Sequence, residues 1–235
     1  MYEIRTVSFN RNPKNNLDEN YFETIDTEHK AYWLGFIMAD GYMYQKQDNK
    51  YEFGIKIKST DYNLIENFAK DIKFDLSKIK IKQSYRNKTL TESCIVRTSN
   101  QKFCNDLIKY GIVSNKSGKE FIPNIPEHLI KHFIRGFWDG DGSILFYPEQ
   151  KCNPKQVSCC SLSMKILKQI NKYLIDNNIH FEFAEQKTKN KILYILRCQN
   201  YKNICNFVNL MYQDATIYLE RKYNTAQQIL EYCLQ

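Results

Sequence analysis

The chain has 235 residues, with 34 Lys and Arg against 26 Asp and Glu, and a formal net charge of +8 at pH 7. This excess favours a polyanionic partner, although a solvated basic surface gives the same count. Residues 1–28 are polar, and the longest apolar run is far shorter than the roughly 20 residues of a membrane span. We therefore expect a soluble intracellular protein with no membrane partner. Because the eight cysteines include no C-x-x-C pair, we expect them to be reduced and mostly in the core.

The N-terminal part of the chain predicts alternating helices and strands. A helix runs from about Thr27 to Asp40, with Thr27 or the residue before it as N-cap. Within Tyr51–Lys58, apolar residues alternate with polar and basic ones, which predicts a strand with one apolar and one basic face. Asp61 then caps a helix whose buried side is Leu64, Ile65, Phe68 and Ile72.

The next elements complete a unit. Ile79 and Ile81 alternate with lysines, which predicts another strand, and a partner strand lies near Ser93–Thr98. A helix that carries Leu107 closes the unit. The predicted order of elements is therefore αββαββα.

The same order follows in the C-terminal part. Pro126 suits the first position of a helix, and strands are predicted near Ser143–Tyr147 and Gln156–Ser161. Ser163 caps the next helix, after which two more strands and a helix complete the unit. A final helix is predicted over about Tyr218–Leu234.

One nine-residue phrase occurs twice, as WLGFIMADG at residues 33–41 and as IRGFWDGDG at residues 134–142. Asp40 and Asp141 are 141 − 40 = 101 residues apart, and the phrases FCN and ICN that begin at Phe103 and Ile204 share this offset. A fixed offset with a shared pattern indicates an internal repeat. The sequence therefore predicts an α+β protein of two pseudo-symmetric αββαββα repeats that face each other.

Each phrase carries small residues four apart, Gly35 with Ala39 and Gly136 with Gly140. Residues four apart share one face of a helix, so each helix has a flat strip that allows close packing against the other. This packing would bring Asp40 and Asp141 together at the helix ends.

Two adjacent carboxylates at neutral pH either share a proton or hold cations between them. Carboxylate at a helix C-terminus is also disfavoured by the helix dipole, so its presence in both copies, at Asp40 and Asp141, suggests a compensating cation. Oxygen ligands suit hard divalent ions such as Mg²⁺. The spacing therefore predicts a shared metal site.

Both phrases resemble the signature of the LAGLIDADG homing endonucleases, and two copies in one chain resemble the single-chain members of that family. Positions three, four, eight and nine are Gly, Phe, Asp and Gly in both copies. The second position departs from the family pattern at Leu34 and Arg135, and the sixth position departs from it at Met38 but not at Asp139. The resemblance implies two motif helices packed at the centre and saddle-shaped antiparallel sheets that lie on DNA.

The resemblance also implies roles for individual residues. Asp40 and Asp141 would be catalytic and would bind Mg²⁺ or Mn²⁺, together with the backbone carbonyls of Ala39 and Gly140. Lys116 and Lys222 resemble the basic residues that the family places near each site. The candidates for DNA contact are Tyr42, Tyr44, Lys46, Lys56, Lys58, Lys80, Lys82, Arg86 and Arg97 in the first half and Tyr147, Lys155, Lys187, Lys189 and Arg197 in the second.

The predicted function is a site-specific, metal-dependent double-strand break in a long DNA target, made by a monomer. The predicted organisation is an N-terminal extension (1–25), a first repeat (26–111), a linker (112–125) and a second repeat with a C-terminal helix (126–235). An intron RNA maturase, with intron RNA as partner, and a non-cleaving DNA-binding regulator on the same fold stay open as alternatives. The richness in Lys, Asn, Ile and Tyr suggests an AT-rich coding genome. Such a genome fits a protein of a phage-infected or bacterial cytoplasm or of an organelle matrix.

Three other readings are disfavoured by the residues. Asp139–Ser143 lacks the later ligands of a calcium loop, since position twelve is Gln150. Neither the G-x-x-x-x-G-K-[ST] nor the G-x-G-x-x-G pattern of nucleotide-binding loops occurs. The terminal residues lack the Cys, Ser or His-Asn of an intein.

Overall fold

The computed structural model describes residues 17–86, 89–148, 155–188 and 191–233. Residues 1–16 of the predicted N-terminal extension and the predicted DNA contact Lys189 lie outside these ranges. The predicted α+β class and the αββαββα order of both repeats are confirmed.

The first repeat contains α1 (Glu28–Asp40), β1 (Gly41–Gln45), β2 (Tyr51–Lys58), α2 (Tyr62–Asp71), β3 (Lys80–Arg86), β4 (Thr89–Thr98) and α3 (Gln101–Lys109). The second repeat contains α4 (Ile130–Asp141), β5 (Gly142–Phe146), β6 (Lys155–Ser161), α5 (Met164–Asp176), β7 (Glu182–Lys187), β8 (Ile192–Cys198) and α6 (Tyr201–Tyr212), and α7 (Glu220–Cys233) follows it. Each repeat forms one four-stranded antiparallel sheet, in the order β1-β2-β4-β3 or β5-β6-β8-β7.

The capping predictions are confirmed in part. The Thr27 hydroxyl accepts a bond from the Lys30 amide at 3.3 Å and so begins α1 as expected. Asp61 and Ser163 also stand at N-cap positions, though neither side chain bonds its helix. Pro126 is not the first residue of α4, because a 3-10 turn, Glu127–Leu129, precedes the helix.

Strand alternation separates the two faces of the first sheet. Phe53, Ile55 and Ile57 are buried in the hydrophobic core, and the alternating Lys56 and Lys58 are exposed, as predicted for β2. In β3 the expected apolar face is only partly covered, since Ile81 is 60% exposed. The reason is that β3 is an edge strand of this sheet.

The two motif helices cross at the centre of the molecule. α1 is buried from Ala31 to Met38, which is typical of a helix packed on all sides. A Cβ atom at Gly35 would overlap the backbone carbonyl oxygen of Phe133, and one at Gly136 would overlap that of Tyr32. Since Tyr32 and Phe133 are themselves 101 residues apart, the two contacts are related by the internal repeat.

The cysteine prediction holds only in part. Cys94, Cys104, Cys159 and Cys198 are buried free thiols, as expected for core residues. The expectation is wrong for Cys205 and Cys233, which form a disulfide between α6 and α7. Their spacing of 28 residues carries no motif, so only the folded arrangement reveals the pair.

None of the helices in the described ranges combines the length and the apolar character needed to cross a lipid bilayer.

The helix crossing makes a stability prediction. Gly35→Ala and Gly136→Ala should each lower the free energy of unfolding by about 3 kcal/mol, because the added methyl group forces the backbones apart. Urea denaturation followed by circular dichroism measures the change. Asn67→Ala, at an exposed position of α2, is the control and should be neutral or slightly stabilising. An unchanged free energy of unfolding for both glycine variants would contradict the close crossing.

Candidate functional site

Asp40 and Asp141 are the last residues of α1 and α4, so the helix crossing determines where both carboxylates lie. A Cβ atom at Gly140 would lie 3.5 Å from Oδ2 of Asp40 and would overlap the Cβ of Ala39. The end of each helix is therefore in contact with the end of the other. All four small residues predicted for this packing, Gly35, Ala39, Gly136 and Gly140, lie along the crossing.

The two carboxylates are electrostatically strained. Both residues keep solvent-exposed surface, yet surrounding protein atoms partly desolvate the carboxyl groups. This desolvation raises the pKa of Asp40, and desolvation together with the negative charge of Asp40 raises the pKa of Asp141 to about 6. A shared cation would relieve both effects.

The two predicted basic residues are buried and bind the ends of the motif helices. Nζ of Lys116 donates to the carbonyl oxygens of Met38 and Ala39, both at 2.7 Å. Burial lowers the pKa of Lys116, while the nearby charge of Asp141 opposes this shift. The ammonium therefore supplies positive charge where the α1 dipole and Asp40 are negative.

Lys222 binds the C-terminal end of α4 as Lys116 binds that of α1. Its Nζ donates to the carbonyl oxygens of Trp138 (2.7 Å), Asp139 (2.8 Å) and Gly142 (2.6 Å). Burial lowers its pKa, and the charge of Asp139 opposes this shift. Lys116 and Lys222 thus cap opposite motif helices, but only Lys116 bonds one of the two carbonyls predicted to bind metal, that of Ala39.

Asp139 is a functional-site neighbour whose role the sequence did not reveal. Its carboxylate is buried and accepts hydrogen bonds from the hydroxyls of Tyr32 (2.8 Å) and Tyr212 (2.7 Å) and from the Leu219 amide (2.7 Å). The bond to Tyr32 joins α4 to α1, and the bond to Leu219 fixes the chain that enters α7. Asp139 therefore helps to place Lys222, three residues after Leu219, against the end of α4.

Arg135 provides a second link. Its guanidinium donates to the carboxylate of Glu28 at 2.6 Å, and to the carbonyl oxygens of Met211 and Ile217, both at 3.0 Å. Glu28 also accepts the Thr216 amide at 2.9 Å. The signal in the sequence was a difference between the repeats, since Arg135 and Asp139 replace the apolar Leu34 and Met38 of the first copy.

Each sheet has a face turned away from its helices, which we call its open face. In the first sheet, strand register assigns seven of the nine predicted DNA contacts to this face. They are Tyr42, Tyr44, Lys56, Lys58, Lys80, Lys82 and Arg97. The Tyr42 ring covers Gly54, where a Cβ atom would overlap it, and its hydroxyl accepts a bond from Nε of Arg97 at 2.7 Å. Lys46 follows β1 and pairs with Glu52 at 2.7 Å, and the side chain of Arg86 lies outside the part of the chain that the structure describes.

The second sheet brings fewer of its predicted contacts together. Arg197 is exposed on the open face, and Tyr147 follows β5 and is 47% exposed. Lys155 and Lys187 take positions on the opposite face, because they alternate with the open-face positions of β6 and β7. The Lys155 ammonium lies 3.5 Å from the centre of the Tyr201 ring. This placement differs from the prediction that put both lysines against DNA.

The arrangement resembles a metal site in its donor chemistry, although no group of three or more His, Cys, Asp or Glu side chains in the described ranges could hold a metal. Mg²⁺ is commonly held by one or two carboxylates, with waters and substrate phosphates as its other ligands. Asp40 and Asp141 fit that pattern, because the helix crossing brings one carboxylate from each repeat to one place, where desolvation raises the pKa of both.

Comparison with known proteins identifies the fold. The family model of the LAGLIDADG-like domain matches residues 27–126. The meganuclease I-SmaMI bound to uncleaveable DNA aligns over 86% of this chain and 89% of its own, with 16% identity and a TM-score of 0.58. I-DmoI in complex with DNA and Ca aligns over 90% of this chain and 99% of its own, with 14% identity and a TM-score of 0.53. No curated protein matches this chain in sequence.

The strained carboxylates predict a pH dependence. The pKa of Asp141 is raised from 3.8 to about 6, so the folded protein binds a proton that the unfolded chain has released. The free energy of unfolding should therefore fall as the pH rises from about 4 to 6. Asp141→Asn removes the penalty, so its melting temperature without metal should exceed that of the wild type at pH 7.5 and match it near pH 4.

Differential scanning fluorimetry in EDTA measures these melting temperatures. Glu185→Gln, which removes one exposed carboxylate from β7, controls for the change in net charge. A lower melting temperature for Asp141→Asn at pH 7.5 would mean that a favourable partner, most directly Lys116, outweighs the repulsion from Asp40.

Proposed function

We propose that this chain, whose residues 27–126 form a LAGLIDADG-like domain and whose two repeats have the fold of the LAGLIDADG meganucleases, is a site-specific DNA endonuclease that cuts both strands. The observation that carries the proposal is the meeting of Asp40 and Asp141 at the crossing of α1 and α4. One carboxylate from each repeat suits two cuts, one in each strand of a duplex that spans both sheets.

The proposed partner is duplex DNA lying across the two open faces. A two-stranded β-ribbon fits the major groove, where base edges distinguish all four base pairs. The first open face offers exposed lysines and the exposed Tyr44 to the DNA. Because one chain supplies both aspartates and both sheets, we propose that the monomer is the active species.

We propose that Asp40 and Asp141 hold Mg²⁺, or Mn²⁺ in its place, with the carbonyls of Ala39 and Gly140 as further candidate ligands. Bound there, the metal would polarise the scissile phosphates and lower the pKa of an attacking water. The buried motif helices keep the two carboxylates at a fixed spacing.

Lys116 and Lys222 supply fixed positive charge beside these carboxylates. Each ammonium is held by two or three carbonyl oxygens, so it is oriented before DNA arrives. Preorganised charge of this kind stabilises negative charge that develops on phosphate oxygens. We propose that this electrostatic effect is the contribution of both lysines to cleavage.

The proposal is tested by selection from a randomised duplex library in Mg²⁺, with sequencing of the cut ends. The wild type should make double-strand breaks at a defined site. Asp40→Asn and Asp141→Asn should each reduce double-strand cleavage by at least about 10³-fold, because either change removes a carboxylate from the shared site. Binding to the selected duplex should persist in both variants.

Asp176→Asn is the matched control, since Asp176 is exposed on α5 and its substitution removes the same charge. Tight binding of duplex DNA without cleavage by the wild type would contradict the endonuclease and favour the DNA-binding regulator. Preferential binding of a structured intron RNA over duplex DNA would favour the maturase.

A further inference from the structure

The two open faces differ in charge. On the strands of the first sheet, Lys56, Lys58, Lys80, Lys82 and Arg97 are exposed on the open face. Among the described open-face positions of these strands, one side chain is acidic, that of Glu52. Its carboxylate forms an ion pair with Nζ of Lys46 at 2.7 Å. This face therefore presents five positive side chains on adjacent strands.

The second open face is nearly neutral. Its described strand positions carry one basic residue, Arg197, which stands directly opposite Glu182 in the register of β7 and β8. The remaining positions are neutral polar or apolar: Ser143, Leu145, Gln156, Ser158, Cys160, Ala184, Gln186, Leu193 and Ile195. The internal repeat is thus preserved in the backbone but not in the charge of the surface.

The difference has a cause in the strand register. The two lysines of the second sheet that could have matched the first, Lys155 and Lys187, lie on the helix side of β6 and β7. Lys155 packs against the rings of Tyr201 and Tyr232 there. A shift of one residue along a strand reverses the side on which each side chain lies, so these two lysines add no charge to the second open face, whose strands also carry fewer lysines than those of the first sheet.

Charged and neutral side chains contribute differently to the salt dependence of DNA binding. Each phosphate that a cationic side chain neutralises releases counterions and steepens the dependence of binding on salt by about 0.9 in the log–log slope. Neutral polar and apolar side chains read base edges and thymine methyl groups and contribute little to that slope. The two sheets should therefore contribute unequally to the salt dependence.

We infer that the first sheet anchors its half of the duplex mainly through charge, while the second sheet reads its half mainly through neutral groups. The inference rests on the proposed DNA-binding function. It predicts that the two repeats, although their backbones are related by pseudo-symmetry, bind DNA differently, with phosphate contacts concentrated on one side of the cleavage site.

The test is the slope of log Kd against log salt for a fluorescent random-sequence 30-bp duplex, which requires no cleavage and no known target. Replacement of Lys56, Lys58, Lys80 and Lys82 by Gln should reduce the slope by about 3 to 4. Arg197→Gln should reduce it by about 1 or less. Far-UV circular dichroism checks that the quadruple variant folds, and these lysines are exposed rather than part of the core.

A matched control removes four charges from the helix side. Lys165, Lys168, Lys172 and Lys202 are exposed on α5 and α6, and their replacement by Gln changes the net charge equally. This control should change the slope by less than about 1, because these lysines lie away from the open faces. Equal slope changes in the two quadruple variants would overturn the inference and indicate a general charge effect.

A second measurement localises the contacts. Phosphate ethylation interference on the selected target should show interfering phosphates concentrated in one half, and the variant of the first open face should lose them. Interference spread equally over both halves would overturn the inference. Failure of the wild type to bind any duplex at low salt would overturn the proposed function as well, whereas binding without cleavage would overturn only the proposed cleavage.

Discussion

The close crossing of α1 and α4 is the constraint on which the rest of the structure depends. Gly35 and Gly136 each face a backbone carbonyl of the other helix, so no side chain separates the two backbones. This contact orients both repeats, because each sheet follows directly from the end of its motif helix at Gly41 or Gly142. The same contact brings two aspartates together at the cost of electrostatic repulsion. The same helix contact therefore determines both the arrangement of the two repeats and the position of the candidate metal-binding carboxylates.

A polar network in the second repeat supports that crossing. Asp139 and Arg135 are buried, yet hydrogen bonds to Tyr32 and Glu28 of α1 and to Tyr212 of α6 satisfy them. Removal of one partner from such a network leaves a buried charge unpaired, which is strongly destabilising. The network also connects the motif helix to α7, which carries Lys222. Stability and the position of a proposed catalytic group are thus coupled in this half.

The sequence predicted the repeat and the strand faces because both are periodic. The 101-residue offset and the alternation in Tyr51–Lys58 are visible without coordinates, and the resemblance to the LAGLIDADG signature supplied the architecture. The bonds of Asp139 and Arg135 could not be predicted, because their partners lie between 73 and 107 residues away. The side of the sheet taken by Lys155 and Lys187 was also hidden, since a single residue of register decides it. The Cys205–Cys233 bond likewise depends on how α6 packs against α7.

The interaction of the Asp40 and Asp141 carboxylates is measured directly by an NMR titration of carboxyl-labelled aspartate, because each negative charge shifts the pKa of its neighbour. In the metal-free wild type, the Asp141 carboxyl carbon should titrate near its raised pKa of about 6. In Asp40→Asn its pKa should fall, while the desolvation that remains keeps it above 3.8, the usual value. An Asp141 pKa that is the same in both proteins would show that the two carboxylates do not interact, and would contradict the shared site.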